Sequence, residues 1–228
     1  MLRRNSNRQL SRRALLGTAS LLGLATVVGQ ALPFVPGSKA FADEGDRSIM
    51  ELMKPGPLPE NSLGDEKAPI TVIEYSSMTC PHCAHFHKNV FPEFKTKFID
   101  TGKVRYIIRE FPLDDLATAV VMLARCLPPD KYFNFVNVMY ENQLVWHTES
   151  PVPKLQLFAK QAGFTEEAFT KCLNDQNLMN KITEIRTNAG EKLGVDSTPT
   201  FFVNGRRMKA GAEIKDFDEM FASLGKAS

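Results

Sequence analysis

EYSSMTCPHCAHFHKN, Glu74 to Asn89, sets two cysteines two residues apart, with Pro81 and His82 between them and His85 and His87 just beyond. The residues leading into it, ITVIEYS (Ile70 to Ser76), alternate and are rich in branched side chains, which predicts a strand. Beyond it, Cys83, Phe86, Val90, Phe94 and Phe98 recur every three or four residues, and Pro81 suits the first position of a helix. Cys80 therefore falls where a strand ends and a helix begins. Pro92 predicts a kink in that helix and Gly102 its end.

Working outward, KVRYIIREF (Lys103 to Phe111) reads as a second strand, parallel to the first across the helix. From about Leu116 to Leu193 only helical patterns follow, broken at Pro128-Pro129, at Pro151 to Pro153 and at Gly163. Strand character returns with TFFV from Thr200, turns at Asn204-Gly205 and continues through RRMK; a last amphipathic helix uses Ile214, Phe217, Met220, Phe221 and Leu224. The fold class expected is α/β: a sheet domain over 68–113 and 194–228, interrupted by an all-helical insertion over 114–193 with its own core. Residues 43–67, rich in Pro and Gly, read as an irregular arm.

The first 42 residues differ in kind. They hold Arg3, Arg4, Arg8, Arg12, Arg13 and Lys39, no acid, an apolar run from Ala14 to Val28, and a small-residue end at Ala40-Phe41-Ala42. This is the pattern of an export signal cleaved after Ala42, with an uncleaved N-terminal anchor as the alternative. Ser11 to Leu16, SRRALL, leaves the twin-arginine and general export routes both open. Removing the signal takes six of the 28 basic residues and none of the 26 acidic ones, so the formal charge of +2 becomes −4. A mature chain of that charge argues against nucleic-acid binding. All four cysteines, Cys80, Cys83, Cys126 and Cys172, lie in the exported part, where disulfides are the norm.

Three readings of Cys80 and Cys83 compete. A structural zinc site needs four converging ligands, and His85 and His87 point to different faces of the predicted helix. A purely structural disulfide across two residues closes a tiny loop and removes little chain entropy. Redox exchange fits better. A thiolate at Cys80 would meet unpaired backbone amides and the positive end of the helix dipole, whereas Cys83, one turn further in, would be more buried. A stabilised Cys80 thiolate is also a good leaving group when a disulfide is passed on. His82 adds to this by charge or hydrogen bonding, or is a solvated helix-start residue.

CPHC between strand and helix, the helical insertion, and Ser197-Thr198-Pro199-Thr200 before the next strand together resemble the DsbA family of thioredoxin-fold disulfide oxidoreductases, over about Ala68 to Leu224. The resemblance implies a cis Pro199 packed against the CxxC, with Thr198 facing bound peptide. It implies a buried acid at Glu74 that relays protons to Cys83, and an apolar groove lined by Met78, Thr79, Thr198 and Pro199. Cys126 and Cys172 depart from the simplest family pattern; a structural disulfide between them is expected, two free core thiols being the alternative. The implied function is periplasmic disulfide donation from Cys80-Cys83 by a monomer, with no organic cofactor or metal, and with a DsbB-like, quinone-linked membrane protein as reoxidant. An isomerase or reductase of the same fold, and a non-catalytic chaperone or peptide-binding protein, are the alternatives.

Overall fold

The structure, a computed structural model, describes residues 52–54, 56–209 and 211–224. The segment read as an export signal, with its expected cleavage after Ala42, lies outside the described residues. The central strand β2 (Ile70–Ser76) is β-branched and buried from Val72 onward. It pairs in parallel with β3 (Val104–Glu110) and antiparallel with β4 (Thr200–Val203). β1 (Asn61–Leu63) runs antiparallel beside β3, and β5 (Arg206–Arg207) closes a hairpin with β4, giving the order β1-β3-β2-β4-β5. The hairpin turns on Asn204 and Gly205, with φ of 46° and 88°, the left-handed pair that a two-residue turn requires.

β1 lies inside the segment expected to be an irregular arm. Three residues between prolines and glycines carry no period that a sequence can display; the strand exists because β3 offers it an edge. Gly64 lets the chain leave that edge: its φ is 90°, and a Cβ there would stand 2.4 Å from the Val104 carbonyl oxygen. The arm is tied down by Arg109, which pairs with Glu60 at 2.9 Å, and by Arg125, which donates to the Pro59 carbonyl at 2.6 Å.

The helical run α1 (81–99) links β2 to β3. It is not evenly α-helical: Pro81–His85 and Phe91–Phe94 alternate with π turns at Phe86–Val90 and Lys95–Ile99. The disruption expected at Pro92 thus sits in the turn before it, where the Phe91 N–H reaches back to the Phe86 carbonyl.

The insertion comprises α2 (Asp115–Cys126), α3 (Pro129–Glu141), α4 (Gln143–Trp146), α5 (Val152–Ala162), α6 (Glu166–Leu173) and α7 (Gln176–Leu193). Its punctuation is local chemistry. Asp114, Thr165 and Asp175 cap helix starts through their side chains, and Gly163 and Gly194 end α5 and α7 in the left-handed conformation. A disulfide joins Cys126, the last residue of α2, to Cys172 in α6.

A helical insertion can form a core of its own, but here its apolar residues join those of the sheet domain. Leu123, Phe135, Trp146, Leu155 and Phe169 belong to one apolar cluster with Cys83, Phe86, Phe94 of α1 and Phe217 of α8 (Ile214–Leu224). The second face of the sheet, with Ile73, Tyr75 and Ile107, is covered by Ala189 and Leu193 of α7. The reason is alternation along β2: Val72, Glu74 and Ser76 point to α1 and the insertion, Ile73 and Tyr75 to α7. Among the described residues, no helix is long and apolar enough to cross a membrane.

Candidate active site

Strand β2 ends at Ser76, and the loop that follows delivers Cys80 to the N-cap of α1 with extended backbone, φ −74° and ψ 123°, ahead of Pro81 at the first helical position. Cys80 and Cys83 are both free thiols. Across from them the Thr198–Pro199 peptide bond is cis, and the Cys80 thiol donates to the Thr198 carbonyl at 3.2 Å. The two sulfurs are electrostatically unequal. The Cys83 thiol donates to Cys80 and lowers its pKa to about 5, against the cost of burial; the Thr198 side chain and the backbone N–H groups of Cys83 and His82 add to the lowering. Cys83 is pushed well up, first by burial, then by its bond to Cys80 and the charge of Glu74.

Beside the pair runs a groove lined by His82, Thr198, Pro199, Met208, Ala212 and Glu213. It is less apolar than expected, with Arg207 and Lys209 also at its wall. Met78 and Thr79 are not part of it. They are 3% and 6% exposed: Met78 is packed in the core and the Thr79 hydroxyl is turned inward to donate to Asp114 at 2.7 Å. The loop between β2 and α1 folds under the insertion, which leaves the groove to the residues around the cis peptide. The His82 side chain is exposed, and its backbone N–H is among the groups that lower the Cys80 pKa.

Glu74 is fully buried, on the face of β2 that looks toward Cys83. The sequence reading missed what surrounds it. His87 Nε2 lies 3.1 Å from Glu74 Oε2, the Tyr106 hydroxyl donates to the same oxygen, and the His87 ring stacks on Tyr140 at 4.3 Å between centroids. Tyr140 in turn shares a 2.7 Å hydrogen bond with Ser76, whose hydroxyl also reaches Cys83. A signal for His87 existed: it stands four residues after Cys83, hence on the same helical face. For Gln143 there was none. Its amide donates to the Met78 and Cys80 carbonyls at 2.8 and 3.0 Å, fastening the catalytic loop to α4. Among the described residues no group of three His, Cys, Asp or Glu side chains is arranged to hold a metal.

A low-pKa thiol and a buried partner at a strand-to-helix junction, faced by a cis proline, define a thioredoxin-fold site for thiol–disulfide exchange. Comparison with known proteins agrees: the family model described as thioredoxin matches residues 58–222. The crystal structure of alpha-DsbA1 from Wolbachia pipientis is 38% identical, with a TM-score of 0.71, over 79% of this chain and 98% of that one. A Rickettsia felis protein, whose name provisionally assigns it as a protein-disulfide oxidoreductase, is 36% identical over 148 residues. The match takes in 63% of this chain and 52% of that protein, so the chain spans about half the length of these Rickettsia relatives. Disulfide bond formation protein D of Bacillus subtilis is 26% identical over 170 residues, 72% of this chain and 75% of that protein. The chain belongs to the DsbA family of thioredoxin-fold thiol:disulfide oxidoreductases.

Proposed function

We propose that this protein is a periplasmic disulfide oxidase that donates the Cys80-Cys83 disulfide to newly exported proteins. The observation that carries the reading is the inequality of the two sulfurs, a Cys80 thiolate with pKa about 5 beside a Cys83 held as thiol. That inequality lowers the energy of the dithiol form relative to the disulfide and so makes the disulfide oxidising. A substrate thiolate attacks Cys80 Sγ, the disulfide bond breaks, and its electron pair passes to Cys83, which takes up a proton. A second substrate thiolate then attacks the substrate's own sulfur in the mixed disulfide and expels Cys80 as thiolate. The substrate leaves with a disulfide and the enzyme is left reduced.

Thr198 and Pro199 are assigned to peptide binding, because they line the groove and the Thr198 carbonyl touches Cys80. Glu74 is assigned to proton transfer at Cys83, because it is a fully buried carboxyl whose charge acts on that buried thiol. Reoxidation by a DsbB-like, quinone-linked membrane protein and action as a monomer complete the reading; both rest on the family. So does export, together with the N-terminal signal pattern.

The test is the equilibrium of the Cys80/Cys83 pair with glutathione, read by alkylation and mass spectrometry with Cys126 and Cys172 counted separately. A pair that stays reduced in mildly oxidising glutathione supports the oxidase. A pair oxidised even by mostly reduced glutathione overturns it and leaves a reductase. An isomerase would instead rearrange a wrongly paired substrate without net oxidant, and a chaperone's activity would survive loss of Cys80.

A further inference from the structure

The exchange reading gives Glu74 a task but leaves His87 unexplained. Burying an imidazole beside a carboxyl is costly unless both are satisfied, and both side chains here are wholly excluded from solvent. The groups facing His87 are few: Glu74 from β2, Tyr140 from α3, and the rings of Phe86 and Phe91 on its own helix run; Tyr106 from β3 reaches the same carboxyl. Cys83 lies one turn back, under the influence of Glu74. Among the described residues, the ion-pair partner of Glu74 is His87 and not a lysine or arginine. His87 Nδ1 is buried and has no hydrogen-bond partner. A proton on that nitrogen would be an orphan donor, so the ring's proton belongs on Nε2, pointing at Glu74.

We infer that His87 is a positioning residue for thiol–disulfide exchange, its Nε2–H holding the Glu74 carboxyl group where, as the acid, it can give a proton to Cys83 and, as the carboxylate, take one back. The inference rests on the exchange reading above. When an incoming thiolate bonds to Cys80 Sγ, the disulfide bond breaks and its electron pair goes to Cys83 Sγ. Glu74 supplies the proton that makes Cys83 a thiol and becomes a carboxylate. His87 N–H and Tyr106 O–H then donate to that carboxylate. In the reverse step the carboxylate removes the Cys83 proton as the disulfide re-forms.

The experiment is rapid-quench reduction and reoxidation of the full chain by glutathione from pH 5 to 9, on wild type, His87→Phe, His87→Gln, Glu74→Gln and the His87→Phe/Glu74→Gln pair. His87→Phe fills the aromatic slot without a donor. Reoxidation should slow about tenfold at pH 7, with the rising limb of its pH profile moved to higher pH. His87→Gln keeps an N–H and should recover most of the rate. In the Glu74→Gln background His87→Phe should slow nothing further, because it acts through the acid. Should His87→Phe not fold, Tyr106→Phe removes the other donor and should move the profile in the same direction. A His87→Phe chain with the wild-type pH profile and only a lower melting temperature overturns the inference, as does an equal loss with and without Glu74. A wild-type chain that does not exchange with glutathione overturns the exchange reading, and this one with it.

Discussion

Cys80 carries most of the site's electrostatics. With a pKa about 5 it is ionised at neutral pH, while Cys83 stays a thiol. In the reduced protein, alkylation by iodoacetamide should therefore follow a single ionisation with a midpoint about 5, and modify Cys80 but not Cys83; a midpoint near the ordinary thiol value of ~8.5 would contradict the geometry. The same shift makes stability depend on pH. The folded pKa lies below the unfolded one, so the thiolate's contribution is fully present above the unfolded value of ~8.5 and is lost as pH falls through about 5. The melting temperature of the dithiol form, measured against that of the disulfide form, should rise from pH 4 to pH 8. Cys83 is a thiol in both the folded and the unfolded chain over most of this window, and opposes the rise only at its upper end, where the unfolded thiol begins to ionise and the folded one does not.

At the scale of elements, the catalytic loop is held from two sides. Asp114, the cap of α2, accepts from Thr79, and Gln143 of α4 donates to the Met78 and Cys80 carbonyls. Gln143→Ala leaves both carbonyls buried without that partner and should cost about 1–3 kcal/mol. Denaturant unfolding measures the loss, and amide exchange at Cys80, whose N–H bonds the Ser77 carbonyl, should quicken locally. Elements differ in how far their sequences announce them. β2 and the amphipathic α8 stand out by period, and the Asn204-Gly205 hairpin by turn chemistry. β1 and the π turns of α1 do not, because a three-residue edge strand and an i→i+5 turn are made by neighbours rather than by local preference.

On the scale of the whole molecule, sheet and insertion share one apolar cluster, and the Cys126–Cys172 disulfide spans 46 residues within the insertion. Replacing both cysteines by alanine should lower stability by up to about 4 kcal/mol on the loop-closure account, seen as a lower denaturant midpoint, with the fold retained. Much of the molecule's plan lies in local pattern. The strand-to-helix placement of CPHC, the helical stretch after it and the return to strand at Thr200 are set by residue periods and by Pro and Gly, which act over a few residues, and on this frame CPHC and Ser197-Thr198-Pro199-Thr200 carry the resemblance to the DsbA family. Tertiary structure decided what no local pattern records: that Met78 and Thr79 turn inward, that Gln143 reaches the Cys80 carbonyl from 63 residues away, and that His87 and Tyr106 converge on Glu74 while Tyr140 stacks on His87. The physical reason is that a buried polar group must find its partners wherever packing places them, and those partners come from strands and helices far apart in the chain.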